Sequence, residues 1–211
     1  MQASLLFVNG IVVDSAGNAV SNTYTLNGLF GSGVTVSGTG LLLNNEMDDF
    51  ASAPGKPNLF GLIQGEANAI APHKRPLSSM TPTIVRKNGK VFLVTGSPGG
   101  STIINTVFLI LTGVIDEGLN VTQAVEQPRF HHQWMPDRIV YEPNAFAEEV
   151  LTSLKSKGHT VTLTTIYGDD PLRAPYRRYW GDAESIMVDP TTGRRLGAND
   201  PRSFDSAAVG Y

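Results

Sequence analysis

Ser78-Ser79, in PLSSM, and Gly99-Gly100, in GSPGGS, stand on either side of a predicted hairpin. Two adjacent hydroxyls offer donors. Glycines ahead of a helix leave backbone N–H groups free to face an anion, and the helix dipole favours negative charge there. Glu46 and Asp49, in NNEMDD, directly follow an apolar stretch, and Thr25 and Asn27 sit at the end of a predicted strand. Carboxylates beside hydroxyl and N–H donors suit a zwitterion. The acids would hold an ammonium, while the serines and free N–H groups would hold a carboxylate or an oxyanion. The residues therefore point to a site for an amino-acid-like ligand. The Gly-Gly pair equally fits a hairpin whose glycines only permit a tight strand-to-helix turn, and on these residues alone that alternative stays open. A phosphate loop is disfavoured, because residues 96–101 lack a Gly-Lys-Ser/Thr ending.

Other chemistries find less support. His131 and His132 are adjacent, so on a strand they face opposite ways and do not easily share one metal ion. His73 and His159 stand in unrelated contexts, and Asp48-Asp49 with Asp116 or Asp205 lack the spacing of a calcium loop. No metal site is expected. No Gly-x-Ser-x-Gly elbow is present, and Ser78-Ser79 lies ahead of a strand rather than at a strand-to-helix turn.

The elements that must position these residues centre on Asn88-Gly89, which fits a two-residue type I′ turn between strands at 83–87 and 90–95. That turn pairs Lys87 with Lys90. Extrapolated outward, it sets Ser78 opposite Gly99 and Ser79 opposite Ser97 or Pro98. An apolar run at 102–115 reads as a helix with Ser101 as its N-cap and Gly118 closing it. Upstream, strands at 4–13 and 19–26 flank a turn cluster at 14–18. Five glycines within residues 28–40 make a loop with an extended piece at 34–36, and 41–43 reads as a brief buried strand. Residues 51–75, rich in Pro, Gly and Ala and without a period, read as a surface segment covering a pocket. Downstream come a short helix capped by Asn120 or Thr122 and ending before Pro128, then an irregular stretch at 128–134. A helix at 144–157 with Asn144 as cap and Gly158 as stop precedes a strand at 160–165. An irregular insertion at 167–182 leads to a hairpin of 185–189 with 194–198. Strands outnumber helices and the helices come late, so the class is α+β with largely antiparallel strands, in one domain over residues 1–211 without a linker.

The chain has 211 residues, enough to bury a substantial core, and a formal charge of −3 without a long Lys/Arg run. That argues against nucleic acid or an anionic membrane as the main partner. Arg177-Arg178 and Arg194-Arg195 read as solvated surface. Cysteine is absent, which excludes disulfides and thiolate chemistry. The start has no basic n-region, and the most apolar stretch, 103–115, falls short of a membrane span, so the chain reads as soluble and unexported.

Together, DSAGNAVSNTYTLN, FGSG, GLLLNNEMDDF, HKRPLSSMTPTIV, VTGSPGGSTII, EQPRFHHQW and DPRSFDSAAVGY resemble the small, catalytic subunit of gamma-glutamyltransferase (glutathione hydrolase) from about Val12 to Tyr211. The resemblance implies a part of the four-layer αββα sandwich of N-terminal-nucleophile hydrolases, completed by a larger subunit cut from the same precursor. It implies that Ser78 and Ser79 bind the substrate α-carboxylate, and that Asp49, Glu46 and Asn27 bind the α-amino end of a γ-glutamyl group. Gly99 and Gly100 would form the oxyanion hole, and Thr25 would hydrogen-bond the nucleophile. Residues 54–65 would form a lid, with Phe60 where an aromatic often stands. The substrate class is glutathione, glutamate and related γ-glutamyl compounds. No cofactor is implied, and family members are typically periplasmic or extracellular.

The resemblance breaks at the start. Family members open this subunit with Thr-Thr-His, whose first hydroxyl attacks the γ-glutamyl carbonyl while its own α-amine serves as base. Counting back from Asp14 puts Phe7, Val8 and Asn9 at those places. Phe7 has no nucleophilic atom, six residues precede it, and the chain opens with Met1, which gives the expectation that no precursor remains to be cut. Ser4 is neither terminal nor in register. The expectation is a fragment or derivative of a transferase, inactive as an isolated chain. The alternatives are a non-catalytic γ-glutamyl- or amino-acid-binding protein and an assembly subunit.

Overall fold

Asn88 and Gly89 both take positive φ, +52° and +78°, the conformation that a two-residue type I′ turn demands. A computed structural model describes residues 8–28, 30–164, 180–203 and 206–210 of the chain. In it the turn joins β3 (Thr83–Lys87) to β4 (Lys90–Gly96), and Lys87 pairs with Lys90 as expected. The extrapolated register then fails. Arg86 pairs with Val91 but Val85 pairs with Leu93, so Phe92 is an extra residue on β4. Every pair beyond it is displaced by one, and the ladder ends at Thr83 with Thr95. Ser78 and Ser79 therefore pair with neither Gly99 nor Ser97 and Pro98. The Phe92 ring lies beneath the Lys87 ammonium, 5.4 Å from Nζ.

β4 continues into a four-stranded antiparallel sheet of order β3-β4-β8-β9, with β8 at Glu184–Val188 and β9 at Arg195–Ala198. The first hairpin is β1 (Val8–Val13) with β2 (Ala19–Tyr24). It packs across β4 and β8 on one face of that sheet. Alternation along β4 sends Val94 and Gly96 toward the hairpin and Leu93 toward helices on the other face. Those helices are α1 (Ile103–Ile115) and α2 (Val121–Glu126). Leu93, Ile110, Val114, Val121, Ala124, Val125, Ala183 and Ala198 form the buried core between helices and sheet. Complete burial of Leu93 and Ile110 contributes roughly 1.5–3 kcal/mol each. Helix, sheet and hairpin thus stack as three layers.

A third sheet, of order β5-β6-β7, comprises Phe130–His131, Ile139–Tyr141 and Val161–Leu163. Its β6–β7 pair is parallel, joined by α3 (Glu148–Ser156) as crossover. The class is α+β with largely antiparallel strands, as the excess of strands and the late helices of the sequence indicate.

Several local readings change. Residues 41–43 form no buried strand: only a bridge from Leu42 to Thr35 exists, and Leu41 is 64% exposed. α3 does not start at Asn144, which takes φ +67° and cannot be a cap; the helix begins after Ala147. Asn120 alone caps α2, in a reciprocal box with Gln123. The stretch 128–134 contains β5 rather than being wholly irregular, and His131 is buried while His132 is not. Most of the expected insertion at 167–182, with Arg177-Arg178, and the expected roles of Ser4, Phe7 and Asp205 lie outside the described residues. Among the described residues no helix is long and apolar enough to cross a membrane, and no cluster of three or more His, Asp and Glu forms a metal site.

Candidate active site

The acidic wall comes from a single 3-10 turn, Glu46–Asp49. In that geometry residues i and i+3 eclipse, so the Glu46 and Asp49 carboxyls fall on one face. They share a hydrogen bond. Partial burial pushes the Glu46 carboxyl up to about 7, and the Asp49 hydrogen bond and charge add to the effect. Asp49 is also raised, by burial first and then by the Asp48 charge, against the opposing Glu46 hydrogen bond. Physically the pair holds one proton near neutrality, because two carboxylates this close resist ionising together.

Thr25 and Asn27 follow β2. The Asn27 N–H donates to Thr25 Oγ1 at 2.8 Å, which leaves the Thr25 hydroxyl proton free for another acceptor. Asn27 is 2% exposed, sits at φ +69°, and donates Nδ2 to the Asn45 carbonyl at 3.2 Å. Asn45 Oδ1 in turn accepts the Gly28 N–H at 2.7 Å. The end of β2 and the acidic turn are thereby stitched together.

Ser78 and Ser79 lie on an extended segment. Ser78 Oγ accepts the Met80 N–H at 3.2 Å and keeps its proton to donate. Across from them, Gly100 opens a 3-10 turn, Gly100–Thr102, that runs into α1. Helix starts leave their first N–H groups without intrahelical partners. Gly100 (φ +58°) packs its Cα on the Phe60 ring, and Gly99 (φ +137°) packs on Gly181; a Cβ at either position would overlap its neighbour. Ser101 is not the N-cap. Its hydroxyl donates to Gln133 Oε1 at 2.8 Å, whereas Thr102 Oγ1 closes the turn on the Gly99 carbonyl at 2.8 Å. Gln133 Oε1 also meets His131 Nε2 at 3.2 Å, and burial holds that imidazole below its usual range.

These pieces line one open cleft with about 390 Å³ of empty space, open solvent included. Thr25, Asn27, Glu46, Asp49, Ser78, Ser79 and Gly100 all line it, with Phe60, Leu62 and Gln64 from the 51–75 segment. Of the expected site residues only Gly99 is absent from the lining, turned toward Gly181. The 51–75 segment is anchored rather than loose. Asn58 Oδ1 accepts the Phe60 and Leu62 N–H groups at 3.1 and 2.9 Å, and Asp48 Oδ2 accepts the Leu59 N–H at 3.0 Å. At the start of β1 the Asn9 side chain lies over Gly96 and accepts the Thr23 hydroxyl at 2.8 Å.

Behind the glycine turn stands a buried ion quartet that the spacing of the sequence does not reveal. Asp200 binds Arg129 at 2.6 Å and Arg202 at 3.0 Å, and Arg202 also grips Glu142 through Nε at 2.7 Å and Nη2 at 2.5 Å. Asp200 Oδ2 accepts the Ala183 N–H at 2.8 Å, Arg129 donates to the Trp180 carbonyl, and the Asp182 N–H donates to Ser97 Oγ at 3.0 Å. The quartet thus holds residues 180–183 against the Ser97–Gly99 backbone. Its bonded partners lie up to 71 positions apart, from Arg129 to Asp200, so no local pattern could have paired them.

The chain matches the gamma-glutamyltranspeptidase family over residues 8–210. It is 51% identical over 200 residues to the glutathione hydrolase proenzyme of Escherichia coli (strain K12), covering 95% of this chain and 32% of that protein. It is 49% identical over 201 residues to the glutathione hydrolase proenzyme of Pseudomonas sp. (strain A14), covering 95% and 34%. The chain spans about a third of the length of the curated relatives it matches. Among solved structures, a mutant of Helicobacter pylori gamma-glutamyltranspeptidase aligns with TM-score 0.82 and 47% identity, over 92% of this chain and 99% of that one. The Pseudomonas nitroreducens enzyme complexed with L-DON aligns with TM-score 0.82 and 43% identity, over 96% and 99%. Fold, sequence and extent of match agree: this chain belongs to the gamma-glutamyltranspeptidase family.

Proposed function

We propose that the cavity receives the γ-glutamyl group of glutathione or a related compound, and that the chain is the catalytic-side subunit of a glutathione hydrolase or gamma-glutamyltransferase. One observation carries the reading: seven residues from separate segments, acidic on one wall and hydroxyl- and N–H-bearing on the other, line one small cavity. Asp49 and Glu46, with Asn27, would hold the α-ammonium, and Ser78 and Ser79 the α-carboxylate. The Gly99–Gly100 turn would stabilise the oxyanion formed when a hydroxyl attacks the γ-carbonyl, and Thr25 would orient that hydroxyl. Phe60 and Leu62 would close over the bound chain and exclude water.

Two things would come from elsewhere. A larger partner subunit would supply an arginine for the α-carboxylate and the fourth layer. Ile104, Phe108 and Ile115 on α1 are 51–57% exposed, an apolar stripe consistent with such a partner. The nucleophile would be a threonine, whereas position 7 is Phe. The chain as it stands would therefore bind but not turn over.

Two measurements test this. Asp49→Asn should abolish glutamate binding in calorimetry, because the ammonium loses its counter-charge; an unchanged affinity would refute the assignment. The unmodified chain should not cleave a γ-glutamyl anilide. Phe7→Thr, Val8→Thr and Asn9→His with removal of residues 1–6, co-expressed with a large subunit, should. Robust turnover by the unmodified chain would overturn the account.

A further inference from the structure

Asn68 stands where three segments of the cavity wall meet, and every polar group it owns is engaged. Nδ2 donates to the Asp49 carbonyl at 2.7 Å and to Gln64 Oε1. Oδ1 accepts the Leu77 N–H at 3.1 Å. Its backbone N–H donates to the Gly65 carbonyl at 3.1 Å, and its own carbonyl accepts the Ala51 N–H at 2.9 Å. Asp49 ends the acidic turn, Gln64 lines the cavity from the covering segment, and Leu77 immediately precedes Ser78. One planar amide thus bridges the backbone of the acid wall to the backbone of the serine wall. Only an amide side chain can donate and accept in one plane at this reach; a carboxylate keeps the acceptor and loses the donors, and an alkyl group loses both.

We propose that Asn68 is a positioning residue that sets the gap between the Glu46–Asp49 carboxyls and the Ser78–Ser79 hydroxyls, and so selects ligands whose ammonium and carboxylate share one carbon. The inference rests on the reading of the cavity as a γ-glutamyl site. An α-amino acid presents its two charges at a fixed short separation. A β-amino isomer presents them one carbon further apart. With the bridge intact the walls match the first; without it they relax and the match is lost.

The test is calorimetric titration of the chain, co-expressed with a large subunit, with L-glutamate and with its β-amino isomer, 3-aminopentanedioate. The parent should prefer L-glutamate. Asn68→Ala and Asn68→Asp should each weaken L-glutamate by about tenfold or more while changing the isomer by no more than about twofold. Asn68→Asp should do this although it keeps the acceptor for Leu77, because its donors to Asp49 are gone. Asn68→Ser, the mildest change, carries the same ratio test should the others fail to fold. Equal losses for both ligands, or a preference unchanged in the variants, would overturn the positioning role and leave the site reading intact. A parent without preference would also overturn it. A parent that binds neither ligand would overturn the reading of the cavity and this inference with it.

Discussion

The Phe60 ring rests directly on the Cα of Gly100: a Cβ built on that glycine would stand 2.6 Å from Phe60 Cδ1 and 2.7 Å from Cε1. The covering segment and the glycine turn are therefore seated on each other by the absence of one methyl group. Gly100 also sits at φ +58°, where an L side chain is strained. Gly100→Ala should cost about 2–3 kcal/mol of stability, part from backbone strain and part from the displaced ring. Phe60→Ala in the same chain removes only the second part. The double variant should thus be more stable than the sum of the singles by about 1 kcal/mol, read from urea unfolding. Strict additivity would show that ring and turn do not touch in solution.

The acidic pair should make the fold sensitive to pH in a definite direction. The Glu46 carboxyl, ordinarily near 4.5, is raised to about 7 in the folded chain, so the folded state binds more protons than the unfolded one between those values. Its contribution to stability is full below about 4.5 and is lost as pH rises toward 7. Glu46→Gln should flatten that slope in melting temperature measured across the window. A ligand ammonium needs the pair deprotonated, so glutamate binding should release a proton and tighten as pH rises toward 7. Heats measured in buffers of different ionisation enthalpy would reveal the proton, and a buffer-independent heat would contradict the shared-proton arrangement.

The ion quartet should be the least forgiving part of the fold. Arg202→Leu leaves Glu142 and one side of Asp200 without a counter-charge, although Arg129 still binds Asp200. Breaking a buried pair in this way costs about 3–5 kcal/mol. Arg202→Lys should recover only part, since an ammonium cannot reproduce the forked contact on Glu142. Circular dichroism melts would rank the three chains, and equal melting temperatures would show that the quartet is not structural.

Much of the frame was legible because its signals are local. Asn88-Gly89 could be read as a type I′ turn since both positions need positive φ, and Asn120 as a cap since its partner Gln123 is three residues away. The Phe92 bulge was not legible. An extra residue in one strand leaves no mark in an apolar run, and it moved every pair beyond it by one. Residues 41–43 misled for a different reason: leucines usually mark a buried strand, but Leu41 and Leu43 are exposed on this chain.

By itself the sequence determined which residues could hold a zwitterion and where the turns fall, because residue chemistry and short-range backbone preference are carried within a few positions. Only the tertiary structure decided that Thr25, Glu46, Asp49, Ser78 and Gly100 share a cavity, that Gly99 packs against Gly181 beside it, and that Asn68 and the Arg129–Asp200–Arg202–Glu142 quartet brace it. Those relations join segments tens of residues apart through hydrogen bonds and burial. A buried arginine or a bridging amide has the same letter as an exposed one until the chain is folded around it.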